Sequence, residues 1–504
     1  FPAFETVQPG TAIQYRENDS NEVKWCIIED APDPDGTDLE RSPEDSLTRA
    51  MMAKMVNDIF ELRSDPPPPR TATILAIQSK LEYRWRYCFL HVEERFADES
   101  PIKGFRLPHD EQGKPEINLF LEQIKSLQAP QQETALATYA KHSVPIHLVS
   151  HLCGRSDFEA VQLLASSQQS IRCARGTSEA QQEAVGLARR ANTLILDEVT
   201  CGTLYLLQQY GCANVAQLLN ESPWRVIISE FIVAHIKAHI QHQWGQAGDQ
   251  LSLGVHEGQV QMTKLSAEEA ATHRRDLEQF VTALETICEV RSGEVYLELG
   301  AERRELYETG FGRGGTHSLM MSARGEGVLW TDDGVLGDTA VVEHRAHRVW
   351  SQSVVIALAK AGVIPESTET AVSCWLLAWG YNFTSIGGRH VRRASELTEW
   401  DPKQQPLRAV LEEFSKEHTE LETMARIAAE TLQLLWQKGA VDQASERVTL
   451  ALLNEIARRS GGRRLVRSLA ANADSIFGID VMTGARVTQL LRAWLAGNRG
   501  IEWP

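Results

Sequence analysis

Two short apolar runs of this chain end in acids. Asn192-Thr193-Leu194-Ile195-Leu196 leads straight into Asp197-Glu198, and Gly327-Val328-Leu329-Trp330 leads into Thr331-Asp332-Asp333. Acids at the carboxyl ends of parallel strands share the crevice in which open α/β sheets hold ligands. Carboxylates that converge there, with water positions left open, are what magnesium or manganese needs to activate a nucleophile against a phosphodiester. Taken singly, each has a structural use as well, because an aspartate between a strand and a helix caps the helix. Glu230 follows Arg225-Val226-Ile227-Ile228-Ser229 at the start of another helix. There it either joins the acids or offsets the positive end of the helix dipole.

Other constellations carry weaker chemistry. His235, His239 and His242 stand at i, i+4 and i+7, a spacing for zinc with no fourth ligand nearby or for a partly buried polar seam. Gly310-Phe311-Gly312-Arg313-Gly314-Gly315 is glycine-rich without a phosphate-binding lysine, which favours a flexible loop over a nucleotide cradle. Arg389, Arg392 and Arg393, just past Gly387-Gly388, are candidates for holding a nucleic-acid backbone, and surface solubility explains them as well. Arg458-Arg459 and Arg463-Arg464 read most simply as a solvated helix end, with an RNA-phosphate patch as the other reading.

The elements that must position these residues follow from periodicity. Residues 188–395 alternate short apolar strands with helices, the pattern of a parallel sheet wrapped by helices. The helix after Asp197 buries Leu204 and Leu207 and stops at Gly211. Upstream, residues 5–95 read as a small α+β domain. Its strands are expected at Thr11 to Tyr15, Val23 to Ile28, Asp58 to Leu62 and Thr71 to Gln78, with turns at Asp30 to Gly36 and Pro66 to Pro69. Its helix is expected to be capped by Ser42 and to align Leu47, Met51 and Met55 on one face. Residues 96–187 form a largely helical connector, with helices expected at Ile117 to Leu127 and Asp157 to Ser166. Residues 396–504 form a helical tail, periodic through Leu407 to Phe414, Met424 to Trp436 and Val448 to Ile456.

Composition narrows the function classes. With 504 residues, 42% of them hydrophobic, the chain has apolar mass for two to four domains. A formal charge of −17 opposes broad electrostatic binding to nucleic acid, so any such contact must be local. Eight cysteines without a C-x-x-C spacing argue against a disulfide framework or a thiolate zinc site, and reduced core thiols in a cytoplasmic protein are expected. No apolar run reaches spanning length, and the first residues lack a signal-peptide pattern. A chain that begins Phe1-Pro2-Ala3 is expected to be the C-terminal portion of something longer.

Two resemblances organise these readings. Gly10-Thr11-Ala12-Ile13, Trp25-Cys26-Ile27-Ile28 and Ser42-Pro43, with the stretch Ala50 to Asp58, resemble the C-terminal domain of the Gre transcript-cleavage factors, an FKBP-like module that docks on RNA polymerase. In that family glycines stand where this chain has Ala53 and Asn57. The acidic coiled-coil hairpin of those factors is absent, so transcript cleavage is not implied. Leu194-Ile195-Leu196-Asp197 and Leu329-Trp330-Thr331-Asp332-Asp333-Gly334-Val335-Leu336 resemble the first-strand aspartate and the T-x-D element of the PIN nuclease domain. Both modules in this order are similar to long bacterial proteins that place tetratricopeptide repeats and a Gre C-terminal-like domain ahead of a PIN domain, so an upstream repeat domain is expected.

The PIN resemblance implies a metal-dependent ribonuclease. Asp197 and Asp333 would bind magnesium or manganese, Asp332 and Glu230 would complete the shell, and RNA would be the substrate. An aspartate expected before the T-x-D strand is missing from Gly314-Gly315-Thr316-His317-Ser318, so Asp338 or Glu308 would have to replace it. The competing expectation is a catalytically silent PIN-like scaffold in which the Gre-like module binds RNA polymerase or partner domains.

Overall fold

In the computed structural model the described residues are 2–30, 39–63, 70–95, 132–167, 169–174, 177–244, 250–256, 259–382, 384–437, 442–477 and 480–497. The turns expected at Asp30 to Gly36 and Pro66 to Pro69, and the helix expected at Ile117 to Leu127, fall wholly or almost wholly outside them. The chain divides into two compact units, residues 1–123 and 124–504.

The first unit is a five-stranded mixed sheet. Strands β1 (Thr11–Glu17), β2 (Val23–Ile28), β3 (Glu40–Arg41), β4 (Ile59–Arg63) and β5 (Arg70–Ser79) lie in the order β3-β2-β1-β5-β4. Alternation along β1 and β2 supplies both faces. Ile13, Cys26 and Ile28 pack with Met51, Phe60 and Ile74 under the short helix α1 (Ser46–Met51). Ala12 and Ile27 pack with Tyr83 of helix α2 (Lys80–Arg95) on the other side.

Two sequence expectations change here. The cap of α1 is Asp45, whose Oδ1 accepts from the Leu47 amide at 2.8 Å, while the Ser42 hydroxyl accepts from the Glu44 amide in the preceding turn. Met55 lies beyond the helix end and is exposed. A proline and two acids after Ser42 make a turn of their own, so the helix starts a residue later than the hydroxyl can reach. The chain leaves α1 through Ala53 and Asn57, at φ 61° and 74°. These are the two positions where the resembled family carries glycine, and the left-handed backbone is the physical reason for it.

The second unit is built on a parallel sheet. Strands β6 (Thr193–Leu196), β7 (Arg225–Ser229), β10 (Glu289–Arg291), β11 (Val328–Trp330) and β12 (Arg348–Val349) lie in the order β10-β7-β6-β11-β12. Every neighbouring pair in it is parallel. Strands β8 (Gln250–His256) and β9 (Gln259–Leu265) form a separate antiparallel hairpin. Leu194, Leu196, Val226 and Ile228 sit on one face of the sheet, and Ile195, Ile227 and Leu329 sit on the other. Burial on both faces explains why these strands read as unbroken apolar runs.

Helices cover both faces. In chain order they are α3 (132–141), α4 (Ile146–Leu152), α5 (Asp157–Ser166), α6 (Ser178–Arg190), α7 (Glu198–Gln209), α8 (Val215–Asn220), α9 (Glu230–Trp244), α10 (Ala267–Ile287), α11 (Ala301–Ala323), α12 (Gly334–His344), α13 (Ser351–Lys360), α14 (Glu366–Ala378) and α15 (Gly388–Leu397). The C-terminal helices are α16 (Leu407–Glu412), α17 (Leu421–Leu435), α18 (Asp442–Arg458), α19 (Gly462–Phe477) and α20 (Val481–Gly497). Their apolar stripes close a second core around Leu411, Phe414, Leu432, Leu452, Val466 and Leu491.

The connector expected at 96–187 is, from α3 onward, part of the sheet domain's core. Tyr139, Ile146, Val149, Phe158, Val161 and Leu164 are buried in one cluster with Leu194, Leu196 and Tyr205. The glycine-rich stretch 310–315, expected as a loop, lies inside α11, which kinks at Gly312 with φ 67°. A Cβ there would come within 2.8 Å of the His147 ring, so glycine serves a close approach rather than a mobile loop. All eight cysteines are free, and six of them are buried. No helix among the described residues is long and apolar enough to cross a membrane.

Candidate functional site

Strands β6 and β11 are parallel neighbours in register, Leu196 beside Trp330. Their acids therefore emerge side by side at the carboxyl edge, as the sequence pattern implied. Asp197, Asp332 and Asp333 are 1%, 0% and 3% exposed.

Each carboxylate is engaged by the chain. Asp197 caps α7, with Oδ1 accepting from the Thr200 amide at 2.8 Å and Oδ2 accepting from the Thr331 hydroxyl at 2.6 Å. Thr331 Oγ1 in turn accepts from the Asp333 amide at 3.0 Å, which ties the two strand ends together. Asp333 Oδ1 caps α12 through the amides of Val335 and Leu336 at 2.8 and 3.1 Å. Its Oδ2 accepts from the Ile146 amide, the first of α4, at 2.6 Å. Asp332 receives the Ser351 amide at 2.8 Å on Oδ1 and the Ser351 hydroxyl at 2.5 Å on Oδ2, at the start of α13. The Thr203 hydroxyl, 2.6 Å from the Tyr381 hydroxyl, also reaches Asp332.

Burial sets the proton affinities. Desolvation pushes the Asp197 carboxyl up to about 8 and the Asp333 carboxyl up to about 6, against the hydrogen bonds that favour their charged forms. Asp332 is raised for the same reason.

The other acids stand apart. Glu230 is exposed at the head of α9, and its Oε1 accepts from the Gly293 amide at 2.6 Å. Of the two candidates for the missing third acid, Asp338 pairs with Arg348 at 3.3 Å and Glu308 with Arg313 at 3.4 Å. That position falls near His317, whose Nδ1 is 2.7 Å from the Ser229 hydroxyl. Burial lowers the His317 pKa and keeps the ring neutral, and its buried Nε2 has no partner among the described residues.

The histidine triplet also separates. His235 pairs with Glu198 at 2.9 Å, His239 faces Glu159 at 3.5 Å, and His242 is exposed. The Glu198 carboxylate raises His235 to about 9, and burial raises the Glu198 carboxyl as well. Nearby, His147 pairs with Asp157 at 2.8 Å. No three histidine, cysteine, aspartate or glutamate side chains among the described residues are placed to share a metal ion.

Arg389, Arg392 and Arg393 lie on α15 and are paired. Arg389 bonds Glu366, Arg392 bonds Glu396 at 3.2 Å and the Leu434 carbonyl at 3.0 Å, and Arg393 bonds Glu396 at 3.3 Å.

Magnesium or manganese needs carboxylate oxygens free to turn toward it and open positions for water. Asp197, Asp332 and Asp333 offer neither in this arrangement: both oxygens of each accept hydrogen bonds, and all three are sealed from solvent. The residues present do not fit the ion as folded.

Residues ahead of β6 close over the Asp333 side of the site. Besides the Ile146 amide on Asp333, the Arg172 carbonyl accepts from the Gly334 amide at 2.8 Å, and the Cys173 carbonyl accepts from Arg348 Nη1 at 2.9 Å. Sequence reasoning found the acids but missed Thr331, Thr200 and Ser351 as their partners. Thr200 was legible as the residue three positions after a capping aspartate, whereas Ser351 and Ile146 carried no local signal.

No curated protein and no solved structure matches the chain. Residues 195–341 match the family model described as the PIN domain associated with the TPR-GreAB-C-PIN system. That span opens on β6 and its Asp197 cap and closes within α12, just past the paired acids of β11. Residues 195–341 are the PIN domain of the TPR-GreAB-C-PIN system.

Proposed function

We propose that this chain works as a catalytically silent PIN-fold interaction module, with the first unit serving as the docking part toward RNA polymerase or a partner domain. The observation that carries this reading is the use made of Asp197, Asp332 and Asp333. Both oxygens of each are committed to capping helices and joining strands, and Asp333 is held by the Ile146 amide as well. Docking through the first unit is supported by its α1–β4 turn, where Met55, Val56 and Ile59 are exposed. Clustered apolar side chains of this kind favour a protein partner.

A second reading, the metal-dependent ribonuclease, is favoured by the meeting of Asp197, Asp332 and Asp333 at adjacent strand ends. It would require α4 to leave Asp333 so that Asp197 and Asp333 could take magnesium or manganese, with Asp332 and Glu230 beside them and RNA as substrate.

One experiment separates the two. Purified chain is incubated with single-stranded RNA and millimolar manganese, and thermal unfolding is followed with and without the metal. The silent module gives intact RNA and superimposable unfolding curves. Cleavage that disappears in Asp197→Asn, with a manganese-induced stabilisation of the wild type, overturns it.

A further inference from the structure

The acidity of this chain is not uniform. Between residues 458 and 492 there are seven arginines, no lysine, and only two acids, Asp474 and Asp480, in a chain whose formal charge is −17. Five of the seven are exposed: Arg458, Arg464, Arg467, Arg486 and Arg492.

The α19–α20 hairpin gathers part of this charge at one end. Gly484 packs against Phe477 at the turn, while Leu465 and Val466 of α19 share a core with Leu491 and Trp494 of α20. The two helices are antiparallel, so the start of α19 lies beside the end of α20. The Trp494 indole donates to Asn454 Oδ1 at 2.9 Å, which fixes the end of α20 near the end of α18 as well. Arg463, Arg464 and Arg467 therefore share an end of the bundle with Arg492.

Three arginines of the stretch have other work. Arg458 pairs with Glu455 at 2.8 Å, and Arg486 lies 5.5 Å over the Trp436 ring. Arg459 is buried and bonds the Thr419 carbonyl at 2.6 Å. Arg463, Arg464, Arg467 and Arg492 have no hydrogen bond or ion pair among the described residues, which sets them apart from Arg389, Arg392 and Arg393. Two acids near this end are already used, Glu455 by Arg458 and Glu417 by the Ser460 amide at 2.9 Å.

We infer that this end of the α19–α20 hairpin, Arg463, Arg464, Arg467 and Arg492, is a contact surface for the phosphate backbone of single-stranded RNA. Guanidinium forks match phosphate oxygens, and the cluster is made of arginine alone. A protein partner would need an apolar centre to bury. Among the described residues of this hairpin the large exposed hydrophobic is Met482, at the opposite end. With no exposed aromatic among the described residues of this hairpin for base stacking, the contact reads backbone and not sequence. It is independent of the strand-end acids and stands whether or not those acids hydrolyse anything.

The test is fluorescence anisotropy of a labelled mixed-sequence oligoribonucleotide with the full chain, in EDTA so that metal-dependent cleavage plays no part. Four phosphate contacts predict an affinity loss of about fifty-fold between about 50 and 200 mM salt, at a slope of roughly 0.7 per contact. In the variant carrying Arg464→Gln, Arg467→Gln and Arg492→Gln the loss falls to about threefold, while Arg→Lys at the same positions keeps most of the salt dependence. Thermal unfolding of all three proteins is expected to coincide, since the side chains are exposed. Equal salt dependence in wild type and the glutamine variant overturns the inference. So does competition by polyglutamate as strong as by unlabelled RNA, which would make the surface an acidic-protein site.

Discussion

The Ile146 amide donates to Asp333 Oδ2 at 2.6 Å across 187 residues of chain. One carboxylate thereby caps two helices, α12 through Oδ1 and α4 through Oδ2. Asp333→Ala removes a cap worth about 1 kcal/mol and strands a buried amide at about 1–3 kcal/mol, so a loss of about 2–4 kcal/mol is expected in chemical denaturation. Asp333→Asn is expected to lose less. Its oxygen can keep α12 capped, but its amide group faces the Ile146 N–H and cannot accept from it.

The Asp197 carboxyl gives stability a pH dependence of known sign. Its folded value, about 8, lies above the ordinary 3.8. Folding therefore takes up a proton between those values, and the contribution is fully present below the lower one and lost as pH rises through the upper. Thermal unfolding from pH 4 to pH 8 is expected to show wild type losing stability relative to Asp197→Asn, which has no proton to lose. A gap that stays constant across that range would remove Asp197 as its source.

Gly334 begins α12 where the Arg172 carbonyl oxygen occupies the space a Cβ would need. Because the obstacle is backbone, which cannot swing aside, Gly334→Ala is expected to cost about 1–3 kcal/mol or more. It should also expose the cut sites of residues 146–173 to limited proteolysis faster than in wild type.

In the first unit the cap assignment is testable directly. Asp45→Ala is expected to cost about 1 kcal/mol, whereas Ser42→Ala, which touches only the turn before α1, should cost well under that. Comparable losses from both would return Ser42 to the capping role.

The architecture was legible wherever burial imposes a period. The runs ending at Leu196, Ser229 and Trp330 became parallel strands because both sheet faces are covered, and α5 and the C-terminal helices fall where their apolar stripes place them. Asp197, Asp332 and Asp333 were legible as a group because strand ends of adjacent parallel strands must lie together. What those acids bond was not. Ser351 is 19 residues from Asp332, and Ile146 is 187 from Asp333, and no local pattern marks an amide whose acceptor lies that far away. The glycines of α11 misled for a related reason. Their sequence signal is backbone freedom, but the requirement at Gly312 is room for the His147 ring.

Phe158 and Val161 of α5 press on Gly202 of α7, with the Phe158 carbonyl and a Val161 methyl each 3.1 Å from where a Cβ would stand. The family-matched residues 195–341 are thus a unit of descent without being a unit of folding. Cut out alone, that stretch would leave β11 without its β12 neighbour and expose the surface that Ile146, Val149, Phe158 and Val161 now cover. Such a fragment is expected to be recovered only in aggregates, while one beginning near residue 132 and keeping the C-terminal helices through α20 should be recovered folded.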